Sequence, residues 1–94
     1  MSYATGIEYD LRKQQATLEH RGLDFNDAPH VFTGRTFMLV DDRQDYGEER
    51  IITVGTLRER VVVIVWTPRG DKRRIISMRY ANERERQRYA QYLV

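Results

Sequence analysis

Residues Arg60–Thr67 read "RVVVIVWT", and the six positions from Val61 to Trp66 are all apolar. Side chains of a strand alternate between its two faces, so a sheet with one wet face calls for apolar and polar residues in turn. An unbroken run therefore means either a central strand covered on both sides or an exposed apolar patch that marks a binding surface. A chain of 94 residues with three short helices has little material to cover both sides of a sheet. The sequence thus predicts a protein partner on the open face.

Around this run the periodicity is that of β-structure. "FMLVDD" (37–42), "ERIITVGTL" (49–57) and "RRIISMRYA" (73–81) are β-branched or aromatic segments, joined by "RQDYG", Arg58-Glu59 and "PRGDK". They predict, with the opening run, an antiparallel meander of four strands. Upstream, Ile7–Tyr9 suits a short first strand, and Asp10 stands at an N-cap position before "LRKQQATLEHRG", which stops at Gly22. Only Leu11, Ala16 and Leu18 are apolar there, which ties this helix thinly to a core. A second helix is expected from Asn26 or Asp27 to Phe32, capped by Asp24 or Asn26, with Ala28, Val31 and Phe32 on one side. Downstream, Asn82 and Glu85 form a capping-box pair before "ERERQRYAQYLV", whose apolar stripe is Tyr89, Tyr92 and Leu93. The expected fold is a single α+β domain over residues 1–94, in two layers, with a four-stranded antiparallel meander, two N-terminal helices and one C-terminal helix.

Charge divides the chain. Residues 1–49 carry 5 Lys and Arg against 10 Asp and Glu, whereas residues 50–94 carry 11 against 4. Of the 16 basic residues 14 are arginine, whose planar fork suits bidentate recognition of phosphate or carboxylate. A polyanion or an acidic partner is implied. There is no cysteine, which excludes disulfides, thiolate metal sites and thiol nucleophiles and agrees with a reducing cytoplasm. The longest apolar run falls far short of the roughly 20 residues that span a bilayer, so a soluble cytoplasmic protein without membrane contact is expected.

Most familiar catalytic sets are missing. The two histidines, His20 and His30, have no further ligand cluster, no glycine-rich phosphate loop is present, and Asp41, Asp42 and Asp45 read as hairpin residues before they read as a magnesium site. No metal or cofactor is expected. Strict alternation along 73–81 sends Arg74, Ile76, Met78 and Tyr80 to the helix-covered side and Arg73, Ile75, Ser77 and Arg79 outward. Ser77 and Arg79, near Arg69 of the preceding turn, are then placed to grip a phosphodiester.

A set of separate blocks in fixed order resembles the BrnT family, the ribonuclease toxins of BrnT–BrnA type II toxin-antitoxin systems, within the RelE-like superfamily. The blocks are "IEYD" with Lys13, "LEHRGLDFNDAPHVF", "YGEERIITVG", "VVVIVWTPRG" and "RRIISMRYANERERQRY". Leu11, Thr17, Met78 and "HRG" depart from the family's usual proline, asparagine, alanine and "KHG". The resemblance implies a RelE-like fold and a metal-free endoribonuclease that stops growth, held inactive by a ribbon-helix-helix antitoxin of BrnA type. Contact with operator DNA would be indirect, through that antitoxin. The matching polar positions nominate Arg69, Arg74, Ser77, Arg79 and Glu48 for catalysis, and Lys13, His20, Arg50 and Tyr89 for holding RNA. Glu48, His20 and Tyr89 have the chemistry of an acid or base. The competing expectation is a basic sheet module that binds RNA or an acidic protein without cutting.

Overall fold

The apolar run becomes the middle of a sheet. The structure, a computed structural model, describes residues 6–93. Its strands are β1 (Gly6–Tyr9), β2 (Phe37–Val40), β3 (Ile51–Leu57), β4 (Arg60–Arg69) and β5 (Lys72–Tyr80), laid side by side in the order β1-β5-β4-β3-β2. The helices are α1 (Leu11–Arg21), α2 (Ala28–Phe32), which follows a 3₁₀ turn at Phe25–Asp27, and α3 (Glu83–Tyr89), which runs into a second 3₁₀ turn at Ala90–Tyr92. The α+β class and the order of elements agree with the sequence reading. The sheet has five strands rather than four, because β1 pairs parallel with β5, Ile7 opposite Arg73 and Tyr9 opposite Ile75.

Both sides of β4 are covered. On one face Val62, Ile64 and Trp66 join Leu23, Phe25, Ala28 and Val31 of the connection and α2, with Ile75 and Met78 of β5. On the other, Val63 and Val54 pack with Ala81 and, through the partly buried Tyr89 and Leu93, with the α3 region. The two-layer expectation is corrected: the C-terminal helix crosses to the face opposite α2, and Val61 to Trp66 range from half-buried to fully buried. The open apolar face that called for a protein partner is mostly closed by the chain itself, with only α3's length limiting the cover.

Close approach of α2 to the sheet depends on a glycine. A Cβ at Gly55 would lie 2.6 Å from Val31 Cγ1 and 3.2 Å from Thr36 Cγ2, so no larger residue fits without displacing α2 or the turn after it. Across the same core Trp66 Nε1 donates to Thr53 Oγ1 at 2.8 Å, which satisfies two buried polar groups at once. The β3–β4 turn is Arg58-Glu59, both with positive φ (49° and 68°), the conformation of a tight two-residue hairpin.

α1 lies alongside β5 where β1 no longer pairs with it. Leu11 and Leu18 are exposed, and the buried residue of the helix is Gln14, whose Nε2 donates to Asp24 at 2.9 Å. Asp10 caps the helix start and Gly22, at φ 70°, closes its end. Arg21 then donates to the Met78 carbonyl at 3.0 Å. The helix is held by polar contacts rather than by an apolar stripe, in line with its thin hydrophobic content.

Candidate functional site

The pairing of β4 with β5 decides which side chains share a face. Val65 pairs with Ser77 and Trp66 with Ile75, so Ile76 is an extra residue, a β-bulge. Alternation therefore resets inside β5. Arg73 and Ile75 lie on the α2 side with Met78 and Tyr80, while Arg74 joins Ser77 and Arg79 on the α3 side. The strict alternation assumed from sequence placed Arg74 inward and Arg73 and Ile75 outward. That assignment is wrong because one inserted residue inverts every face assignment beyond it.

Register then organises the α3 face into rows. Phe37, Val54, Val63 and Arg79 are successive cross-strand partners, as are Leu39, Ile52, Val65 and Ser77. Further along, Glu8 pairs with Arg74 and Arg74 with Thr67. α3 and the turn after it cover the first row at both ends: Tyr89 of α3 and Tyr92 of the turn pack on Phe37, with centroids 5.0 and 4.5 Å away, and Glu85 meets Arg79. The second row borders a concavity of about 230 Å³ that also takes in Arg43, Glu85 and Tyr89. A second and larger groove, about 400 Å³, runs between α1 and the bulge and is walled by Lys13, Thr17, His20, Arg21 and Ile76. Ser77 lines both hollows.

The arginines of this face are held in place by carboxylates. Arg79 donates from both terminal nitrogens to the two oxygens of Glu85, at 2.7 Å each, and Arg74 donates to Glu8 at 3.0 Å. Arg69 donates to Glu48 at 3.1 Å, and Glu48 also stands 3.9 Å from Arg50. The hydrogen-bonded Arg79 guanidinium pulls the Glu85 carboxyl down to about 2, and Glu85 in turn raises Arg79 above the usual arginine value. At the mouth of the concavity Arg43 pairs with Asp41 at 2.7 Å, depressing the buried Asp41 carboxyl to about 2. That bond commits Asp41 to the hairpin. Among the described residues no three His, Cys, Asp or Glu side chains gather as a metal-binding group, and no helix is long and apolar enough to cross a membrane.

A family model described as the ribonuclease toxin, BrnT, of type II toxin-antitoxin systems matches residues 9–85. The chain belongs to the BrnT family. It is accordingly a member of a family of ribonuclease toxins that act in type II systems, each toxin with an antitoxin as partner. No curated protein matches the chain at significant similarity. The BrnT match takes in eight of the nine nominated positions and ends before Tyr89.

Against that family frame the nominated residues fall into three groups. Lys13, His20 and Ser77 line one groove, and Ser77, Arg79 and Tyr89 line the adjoining concavity. Arg74 shares the face of Ser77 and Arg79. Arg69, Glu48 and Arg50 form a third cluster at the far end of β4, where Thr67 Oγ1 donates to the Glu49 carbonyl at 2.6 Å and pins the loop. Arg50 has its guanidinium 3.9 Å from the Tyr46 ring centroid and a buried Nε without an acceptor. Sequence reasoning missed Arg43 and left Glu85 outside the site. The i, i+2 spacing of Asp41 and Arg43 in a hairpin was the available signal for the first, and Glu85 was already visible as a capping residue.

Proposed function

We propose that this protein is a metal-independent endoribonuclease toxin of the cytoplasm, neutralised by a ribbon-helix-helix antitoxin of BrnA type through which it touches operator DNA. The observation that supports this reading is the gathering of Arg74, Ser77 and Arg79 on one face by the bulge, with Ser77 common to two hollows. A phosphodiester at Ser77 has the α1 groove on one side and the concavity on the other. A single strand of RNA can pass through both.

Cleavage follows from the substrate's own 2′-hydroxyl. The 2′-hydroxyl gives up its proton to a base and its oxygen attacks phosphorus, the 2′-O–P bond forms and the P–O5′ bond breaks, and the departing 5′-oxygen takes a proton from solvent, leaving a 2′,3′-cyclic phosphate and a 5′-hydroxyl. Charge building on the phosphorane is met by Arg79 and Arg74, with Ser77 donating a hydrogen bond and Arg69 steering the strand beyond. Glu85 and Glu8 hold the two forks oriented before substrate arrives, so little reorganisation accompanies the reaction. His20 shares the groove with Ser77 and is the group we assign to proton transfer. Tyr89 lines the concavity, and Glu48 is engaged with Arg69 and Arg50. Lys13 and Arg50 serve as phosphate contacts on either side.

Incubation of the purified protein with single-stranded RNA in excess EDTA tests this. Fragments ending in 2′,3′-cyclic phosphate are expected. RNA that is bound in a salt-dependent way yet stays intact would instead favour the basic binding module.

A further inference from the structure

Two neighbouring rows of the sheet differ in a way that phosphate chemistry does not use. The row Phe37, Val54, Val63, Arg79 lies under α3, whereas the row Leu39, Ile52, Val65, Ser77 does not. Its three apolar members stay half-buried or exposed, with Leu39 at 37%. They line the floor of the concavity, which also takes in the hydroxyl of Ser77, the Arg79–Glu85 pair and Arg43. An apolar floor, a neighbouring hydroxyl and two arginines in the same lining are the features that complement a heterocyclic ring attached to a phosphodiester.

Resting on the ribonuclease reading, we propose that the row Leu39–Ile52–Val65 is a slot for one nucleobase of single-stranded RNA, adjacent to the phosphate held at Ser77 and Arg79. The face of the ring lies on Val65 and Ile52, and Tyr89 flanks it. The Arg43 guanidinium, held by the buried Asp41 and largely exposed, supplies donors to the ring's edge, so the slot gives the enzyme a nucleotide preference beside the cut. An amphipathic helix from a protein partner fits less well, since it needs apolar anchors over several turns, and the strip is one side chain wide.

The test is binding of short single-stranded 2′-O-methyl RNA, which cannot be cut, with one abasic position moved along the oligonucleotide and affinity read by fluorescence polarisation. For the wild-type protein one abasic position should weaken binding about tenfold, while the others change it little. Leu39→Ala, at an exposed edge-strand position, and Val65→Thr, which keeps the side chain's shape, should each bind intact RNA more weakly and lose most of that penalty. An abasic penalty spread evenly over all positions overturns the slot. So does a penalty that persists unchanged in both variants, the result expected if a protein segment occupies the row. The nuclease reading is separable: a localised penalty without cleavage of unmodified RNA removes the catalysis and supports the slot, whereas cleavage without a localised penalty removes the slot alone.

Discussion

Arg79 and Glu85 face each other across the β5–α3 junction with two parallel hydrogen bonds of 2.7 Å. The same carboxylate accepts from the Asn82 backbone N–H at 2.9 Å, while the Asn82 side chain accepts from the Glu85 N–H, so one residue both caps α3 and orients the fork of the arginine beside Ser77. Stability of the last helix and orientation of the Arg79 fork are thereby joined at a single carboxylate.

Glu85→Gln keeps the capping box but removes the charge that holds Arg79. Its expected cost near neutral pH is about 1 kcal/mol, a charged hydrogen-bond pair discounted for its exposure. Glu85 has a folded value of about 2 against 4.5 ordinarily. A depressed carboxyl stabilises the fold above its ordinary value and loses that contribution as pH falls towards the folded value. Urea midpoints measured from pH 5 to pH 2 should therefore fall less steeply for the variant than for the wild type. The residual fall reports Asp41, whose carboxyl is also held at about 2, together with Asp24, which the Asn26 backbone N–H and Gln14 hold below its usual value.

Lys13 lines the α1 groove without a carboxylate partner among the described residues. As a phosphate contact it would release bound counterions on binding RNA. Lys13→Ala should weaken binding evenly across sequences and reduce the slope of log affinity against log salt by about 0.7, the value for one contact to a single strand. An unchanged slope would place the strand elsewhere.

Gly55→Ala tests the approach of α2 to β3. The added methyl meets Val31 at 2.6 Å, and overpacking of this kind should cost about 1–3 kcal/mol in thermal or urea unfolding. A neutral outcome would mean that α2 is free to move away from the sheet.

Trp66→Phe removes the donor to Thr53 and leaves a buried hydroxyl without its partner. The expected destabilisation is about 1–3 kcal/mol, with Trp66→Phe/Thr53→Val recovering part of it, as a double-mutant cycle would measure.

Much of the fold was legible because its local signals agree: Asp10 and Gly22 bound α1, Asn82 and Glu85 start α3, and Arg58-Glu59 closes a tight hairpin. Two things were not. The parallel pairing of β1 with β5 joins residues some 66 positions apart, Gly6 with Lys72, and no local pattern encodes it. The bulge at Ile76 is likewise silent, since "RRIISMRY" reads as a regular strand, and only the register with β4 reveals that one residue is extra. The bulge therefore changes which of the nominated residues share a face. Arg74 moves from an inward anchor to a neighbour of Ser77, and Arg73 moves onto the Phe32 and Trp66 rings, at 4.0 and 5.0 Å. The uninterrupted apolar run of β4 calls for an outside partner only while all three helices lie on one face of the sheet, and no local pattern tells that α3 crosses to the other.

Arg79 beside Ser77 is the residue on which the proposed cleavage most depends. Cleavage of one defined single-stranded RNA should be timed in excess EDTA with wild type and Arg79→Ala, both shown folded by circular dichroism. The wild type should yield 2′,3′-cyclic phosphate ends and the variant should be slower by about a hundredfold, as for loss of one charge-stabilising donor. An unchanged rate in the folded variant, or wild-type products with free 3′-hydroxyl ends, would contradict it.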